Sequence, residues 1–156
     1  MTQGWPTADL GPLHRLRVLA SAVHAPMCVE EYIDAPVDKV WAVAGDLRSE
    51  LPRLVRTMRS FEYRTVDGEN IGARATGVLG NRADFEVILR PGWCVMQSRF
   101  VIGGMAAVAD GAGTRFAVLG GTRAPGARAM RGLLRPLGTV LGRGMIRRLR
   151  ERVAAR

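Results

Sequence analysis

Between Phe61 and Thr122 apolar and polar residues alternate, and nearly every break in the alternation is a reverse-turn sequence. The runs are Phe61–Val66, Ile71–Leu79, Arg82–Arg90, Trp93–Phe100, Gly104–Ala109 and Thr114–Thr122. Asp67-Gly68-Glu69-Asn70, Gly80-Asn81, Pro91-Gly92 and Asp110-Gly111-Ala112-Gly113 separate most of them. The pattern is clearest in the third run. There Ala83, Phe85, Val87 and Leu89 share one face, and Asp84, Glu86 and Arg90 fall mostly on the other. About six short strands joined by tight reversals are the constraint that the rest of the chain must satisfy.

The flanks are helical in period. Met27–Asp34 reads as a further strand, closed by Ala35-Pro36. Pro36 suits a helix start and Asp38 its positive end; Val37, Val40, Trp41 and Ala44 line one face, and Gly45 is a stop. Trp41 reads as a core residue between helix and sheet. A second helix is expected from about Arg48, with Leu51, Leu54, Val55 and Met58 as its stripe and Pro52 in its first turn. After the last strand a long helix runs from about 126 to 153. Its stripe is Met130, Leu133, Leu134, Leu137, Val140, Leu141, Met145, Leu149 and Val153, and Pro136 predicts a kink. Residues 1–26 read as a flexible arm with a short helix at 13–23, on Leu13, Leu16, Leu19 and Val23. Residues 27–153 form the domain.

Charge is unevenly placed. Residues 1–122 hold 13 Lys/Arg and 13 Asp/Glu, whereas 123–156 hold ten arginines and one acid, Glu151. The whole net charge of +9 therefore sits in the last 34 residues. Three readings fit: a solvated outer helix face, contact with an anionic membrane, or phosphate neutralisation on RNA or an acidic carrier protein. Cys28 and Cys94 match neither a disulfide framework nor zinc spacing, so no metal site is expected. No glycine cluster has phosphate-loop or dinucleotide context. No apolar run approaches the roughly 20 residues of a membrane span, and a cytoplasmic location, peripheral at the membrane at most, is expected.

The segment Ile33-Asp34-Ala35-Pro36-Val37-Asp38-Lys39-Val40-Trp41, followed by Gly45-Asp46, Leu51-Pro52 and Asp110-Gly111-Ala112-Gly113-Thr114-Arg115, resembles the START/SRPBCC (Bet v 1-like) superfamily. It looks most like the bacterial polyketide cyclase/dehydrase and lipid-transport branch. Arg90-Pro91-Gly92-Trp93 matches the family's tryptophan–proline loop only loosely. The resemblance covers about residues 27–153. It implies an α+β helix-grip fold: a seven-stranded curved antiparallel sheet around a long C-terminal helix, two short helices after strand 1, and a mostly apolar cavity between them.

Within that expected fold the ligand-binding candidates are Leu54, Met58, Tyr63, Ala75, Phe85 and Val87. Met96, Phe116, Met130, Leu134 and Leu137 complete the apolar set. Arg99 joins them if its strand face points inward, where it would meet a carboxylate or carbonyl. The alternative places Cys94, Met96, Ser98 and Phe100 inside and leaves Arg99 on the surface. Tyr63, Arg99 and Tyr32 are weak catalytic candidates, since no acid–base pair stands out; His14 and His24 precede the domain. The first expectation is a carrier or binding protein for a lipid, isoprenoid or polyketide, without cofactor. The second is a polyketide cyclase, aromatase or dehydratase using the same cavity. The third is an RNA- or membrane-docking protein acting through the basic helix.

Overall fold

A computed structural model describes residues 10–23 and 27–156. Trp5, His24 and the rest of residues 1–9 and 24–26 of the N-terminal arm lie outside the described residues. The elements are α1 (Pro12–Ser21), β1 (Met27–Ile33), α2 (Val37–Ala44), α3 (Leu51–Leu54), β2 (Met58–Asp67) and β3 (Asn70–Gly77). They continue with β4 (Arg82–Arg90), β5 (Trp93–Gln97), β6 (Val101–Asp110), β7 (Gly113–Thr122) and α4 (Arg131–Ala154). Seven strands form one antiparallel sheet in the order β1-β7-β6-β5-β4-β3-β2.

Local chemistry explains the turns and the bend. Gly68 and Gly111 have φ near +60° in the β2–β3 and β6–β7 hairpins, a conformation that a side chain disfavours. Register shifts at Met58/Ser60 and Tyr63/Thr65 bulge β2 and turn the sheet over its concave side. Thr114 is fully buried, and its hydroxyl donates to the Ala35 carbonyl at 2.7 Å, which ties the Ala35-Pro36 corner to β7. Pro36 caps α2 and Gly45 ends it beside the Trp41 ring. The second helix is one turn, shorter than its stripe suggests, because Met58 already opens β2.

Both faces of the sheet are covered. On the convex face α1 lays Leu16 and Ala20 over Ala106, Ala117 and Leu119. Small residues permit this approach: a Cβ on Gly104 would lie 2.8 Å from the Leu16 side chain. On the concave face α4 packs against β1, β7, α2 and α3. Only its C-terminal half is inserted, through Met145, Ile146, Leu149 and Val153. Each such side chain stabilises by roughly 1.5–3 kcal/mol on burial.

The expected stripe thus holds for half the helix. Met130, Leu133, Leu137, Val140 and Leu141 are exposed, and Leu134 is half-buried. The buried line is instead Gly142, Met145, Ile146, Leu149 and Val153. The helix also begins at Arg131 rather than 126, after turns over 125–130. Where α4 crosses β1 its glycines decide the spacing. A Cβ on Gly138 would lie 2.8 Å from the Met27 Cβ, and one on Gly142 would lie 3.0 Å from a Val29 methyl.

Four of the basic residues of this half, Arg148, Arg150, Arg152 and Arg156, are engaged within the protein. Arg152 donates to both carboxylate oxygens of Glu50 at 2.8 Å, and Arg156 adds a third bond at 2.9 Å. Glu50 is 1% exposed. The paired guanidinium of Arg152, ahead of that of Arg156, holds its carboxyl down at about 2. Arg150 bridges to Glu31 at 2.8 Å and to the Tyr32 carbonyl at 2.7 Å, and Arg148 donates to the Leu54 carbonyl at 2.8 Å.

Gly132 has no atom near its Cβ position, so Gly132→Ala raises stability in urea unfolding by up to about 1 kcal/mol. Gly138→Ala lowers it by about 1–3 kcal/mol, because the clash with Met27 outweighs the helix gain. The Glu50 carboxyl titrates near 4.5 when unfolded and about 2 when folded. Its contribution of about 3 kcal/mol is complete above pH 4.5 and is lost as pH falls toward 2. Glu50→Gln should lower stability at pH 7 by about that amount and flatten the acid limb between those values. Superimposable acid limbs in the two proteins would refute the clamp.

Candidate ligand-binding face

The concave surface is built from alternate residues of all seven strands, with its largest side chains on β2 to β5 and β7. Phe61 and Tyr63 come from β2, Ala73 and Ala75 from β3, Phe85 and Val87 from β4, Cys94 and Met96 from β5, and Phe116 from β7. Cross-strand register sets large residues against small ones. Phe61 lies opposite Ala75, Tyr63 and Phe85 both flank Ala73, and Met96 faces Gly103. The rings therefore lean over β3. Phe61 and Tyr63 meet edge to face at 6.3 Å, and Phe61 and Phe85 are 6.2 Å apart at 53°.

Of the sequence candidates, Leu54, Ala75, Phe85, Val87, Met96 and Phe116 are buried in this one cluster, and Met58 and Tyr63 pack half-buried at its margin. Leu134 is half-buried, while Met130 and Leu137 point to solvent, contrary to the inward stripe expected of them. Arg99 is not on the concave face. Cys94 and Met96 are the inward residues of β5, and Arg99 lies beyond the strand end with its guanidinium 5.0 Å over the Phe100 ring. Tyr32 is also elsewhere: Val29 and Ile33 point inward from β1, so Tyr32 is on the outer face and exposed. Sequence reasoning missed Phe61 and Ala73, and held Cys94 only as an inward residue of the alternative strand face. Phe61 shares Tyr63's alternation, a signal that was available. It also missed Arg48, whose guanidinium stands 5.3 Å over the Tyr63 ring and which no periodicity marks.

The wall is nearly uncharged. Its titratable groups among these residues are Tyr63 and Cys94. Burial pushes the Tyr63 hydroxyl upward, and the neighbouring Cys94 adds to the shift. Burial alone pushes the Cys94 thiol up to about 12. At neutral pH both are protonated, so the face offers a hydroxyl donor and a weak thiol donor but neither a base nor a nucleophile from these two groups. Among the described residues no buried side-chain nitrogen or oxygen lacks a partner, and no cluster of three His, Cys, Asp or Glu could hold a metal ion.

The opposite face is polar. A recess of about 800 Å³ opens there, lined in part by Arg64, Arg74, Asp84, Glu86, Gln97 and Arg123. Arg74 and Asp84 are paired across it at 2.7 Å. A second recess of about 460 Å³ reaches Leu19 of α1, Ile88 and Val95.

Solved structures share this arrangement. It is the helix-grip fold. A protein of Thermus thermophilus, TTHA0849, aligns with a TM-score of 0.64 at 22% identity, over 83% of this chain and 97% of that one. The di-domain ARO/CYC BexL from the BE-7585A biosynthetic pathway aligns with a TM-score of 0.62 at 12% identity, over 92% of this chain and 55% of that one. Ara h 8.0201 aligns with a TM-score of 0.56 at 14% identity, over 84% of this chain and 98% of that one. The architecture inferred from the Ala35-Pro36 corner and the strand order is thus the observed one. No protein-family model matches the chain, and no curated protein matches it. Among the described residues no helix is long and apolar enough to cross a membrane.

The burial of Cys94 against the exposure of Cys28 is open to direct measurement. At pH 8 the native protein should present one thiol to a disulfide reagent, and a second only after unfolding. Two fast native thiols would mean that β5 presents its other face.

Proposed function

We propose that the chain binds an apolar small molecule against its concave face beneath α4, as a carrier or binding protein for a lipid, isoprenoid or polyketide. One observation carries this reading. The concave wall of β2–β5 is apolar, and on the half of α4 that is not inserted Leu133, Leu137 and Leu141 are exposed. Apolar surface on both sides of a margin is what an apolar guest would cover, and its burial would contribute roughly 25 cal/mol per Å². Tyr63, half-buried at that margin, would supply one orienting hydrogen bond.

A second reading, an aromatase or cyclase, draws support from the ARO/CYC neighbour and from the same Tyr63 hydroxyl. In that case the face folds a reactive chain and Tyr63 donates a proton to a carbonyl oxygen.

Native mass spectrometry of the purified protein, with titration of a fluorescent naphthylamine probe, tests the binding reading. A copurified apolar mass and micromolar probe affinity are expected. Ala75→Phe should lower the affinity at least tenfold with the circular dichroism unchanged. Tyr63→Phe should cost roughly three- to tenfold for one hydrogen bond. Empty spectra together with no probe binding would overturn it. Turnover of a polyketide-like substrate, lost in Tyr63→Phe, would favour the second reading.

A further inference from the structure

The two ends of the sheet are chemically opposite. The strand registers bring the β3–β4 turn, the β5–β6 loop and the start of α4 to one end, since Met58 pairs with Gly77, Gln97 with Ile102 and Val101 with Thr122. The β2–β3 and β6–β7 hairpins and the end of β1 lie at the other.

At the second end Asp34, Asp67, Glu69 and Asp110 occur, and Arg90 and Arg115 are paired to Glu69 and Asp110 at 2.6 and 2.8 Å. At the first end the segments 77–82, 97–101 and 122–138 contain no Asp or Glu and six arginines, at 82, 99, 123, 128, 131 and 135. The same segments hold large apolar side chains facing water. Leu79 is 93% exposed and Leu133 65%, and Phe100, Val101, Met130 and Leu137 are also exposed. Apolar tips from three separate segments thus stand, with arginines, at one end of the sheet.

We infer that this end docks on an anionic phospholipid bilayer, with Leu79, Phe100 and Leu133 entering the interface and Arg131 and Arg135 on the headgroups. Charge complementarity selects the partner's sign, and the protruding apolar tips select a bilayer over a polyphosphate such as RNA, to which they would contribute nothing. The surface is not the one that the arginine count points to. In the C-terminal half of α4, Arg148, Arg150, Arg152 and Arg156 are tied to Leu54, Glu31 and Glu50 within the protein. The docking end holds the margin of the concave face, so a bilayer there is placed to exchange an apolar guest. That last point rests on the proposed function; the docking itself does not.

The test is sedimentation of the full chain with large vesicles of phosphatidylcholine, with and without 30% phosphatidylglycerol, in 0.1 M salt. Binding is expected only with the anionic lipid and should fall steeply at 0.5 M salt. Arg131→Gln with Arg135→Gln should weaken partitioning roughly tenfold or more. Leu79→Ser with Leu133→Ser should weaken it comparably, and Arg147→Gln should leave it unchanged. All of these positions are exposed, so folding is checked simply by circular dichroism. No sedimentation with anionic vesicles, equal loss in Arg147→Gln, or binding to polyadenylate in place of vesicles would each overturn the proposal. A protein that docks but holds no apolar mass overturns only the carrier reading. One that holds such a mass but ignores vesicles overturns only the docking.

Discussion

The insertion of the C-terminal half of α4 is the contact on which the molecule depends. Ile146 and Leu149 are fully buried against the concave core, and Glu50 closes the joint by accepting from Arg152 and Arg156. A buried carboxylate is costly without partners, and removing one member of such a pair leaves an uncompensated charge. The clamp joins the segment between α2 and α3 to the end of the chain, 102 residues away. It fixes the C-terminal end of the long helix, and the inserted run from Gly142 to Val153 leaves the first half of that helix uncovered.

Two faces and two ends then divide the work. The convex face is sealed at β6 and β7 by α1, which the small residues Gly104, Ala106 and Ala117 admit at short range. The concave face stays apolar, with two protonated groups and no charge at its centre. One end of the sheet is acidic, with Glu69 and Asp110 paired to Arg90 and Arg115; the other is basic with exposed leucines. An apolar concave face and an apolar, cationic end are physically compatible, because both favour contact with apolar matter over water.

Much of this was legible in the residues. Strand positions followed from alternation and turn chemistry, and the Ala35-Pro36 corner and the strand–helix order marked the helix-grip fold. Other features were not legible. Strand β5 carries apolar side chains on both faces, so Trp93 and Val95 competed with Cys94 and Met96, and a period of two cannot choose between them. In the first half of α4 the leucines share one face with Met130 and Val140, whereas the buried line of Gly142, Met145, Ile146, Leu149 and Val153 runs along a roughly opposite face, so the stripe drawn from Met130 through Leu137 to Val153 joined two different faces.

The sequence by itself determined the local geometry: where the chain turns, which runs extend, where helices start, and that the net positive charge lies in the last 34 residues. Only the tertiary structure decided which of those arginines are consumed by Glu31 and Glu50 and which face solvent. It also decided which leucines of α4 are core and which are surface. Propensity and period act between neighbours a few residues apart, whereas ion pairing and burial are settled by segments that meet only when the sheet has bent around the helix.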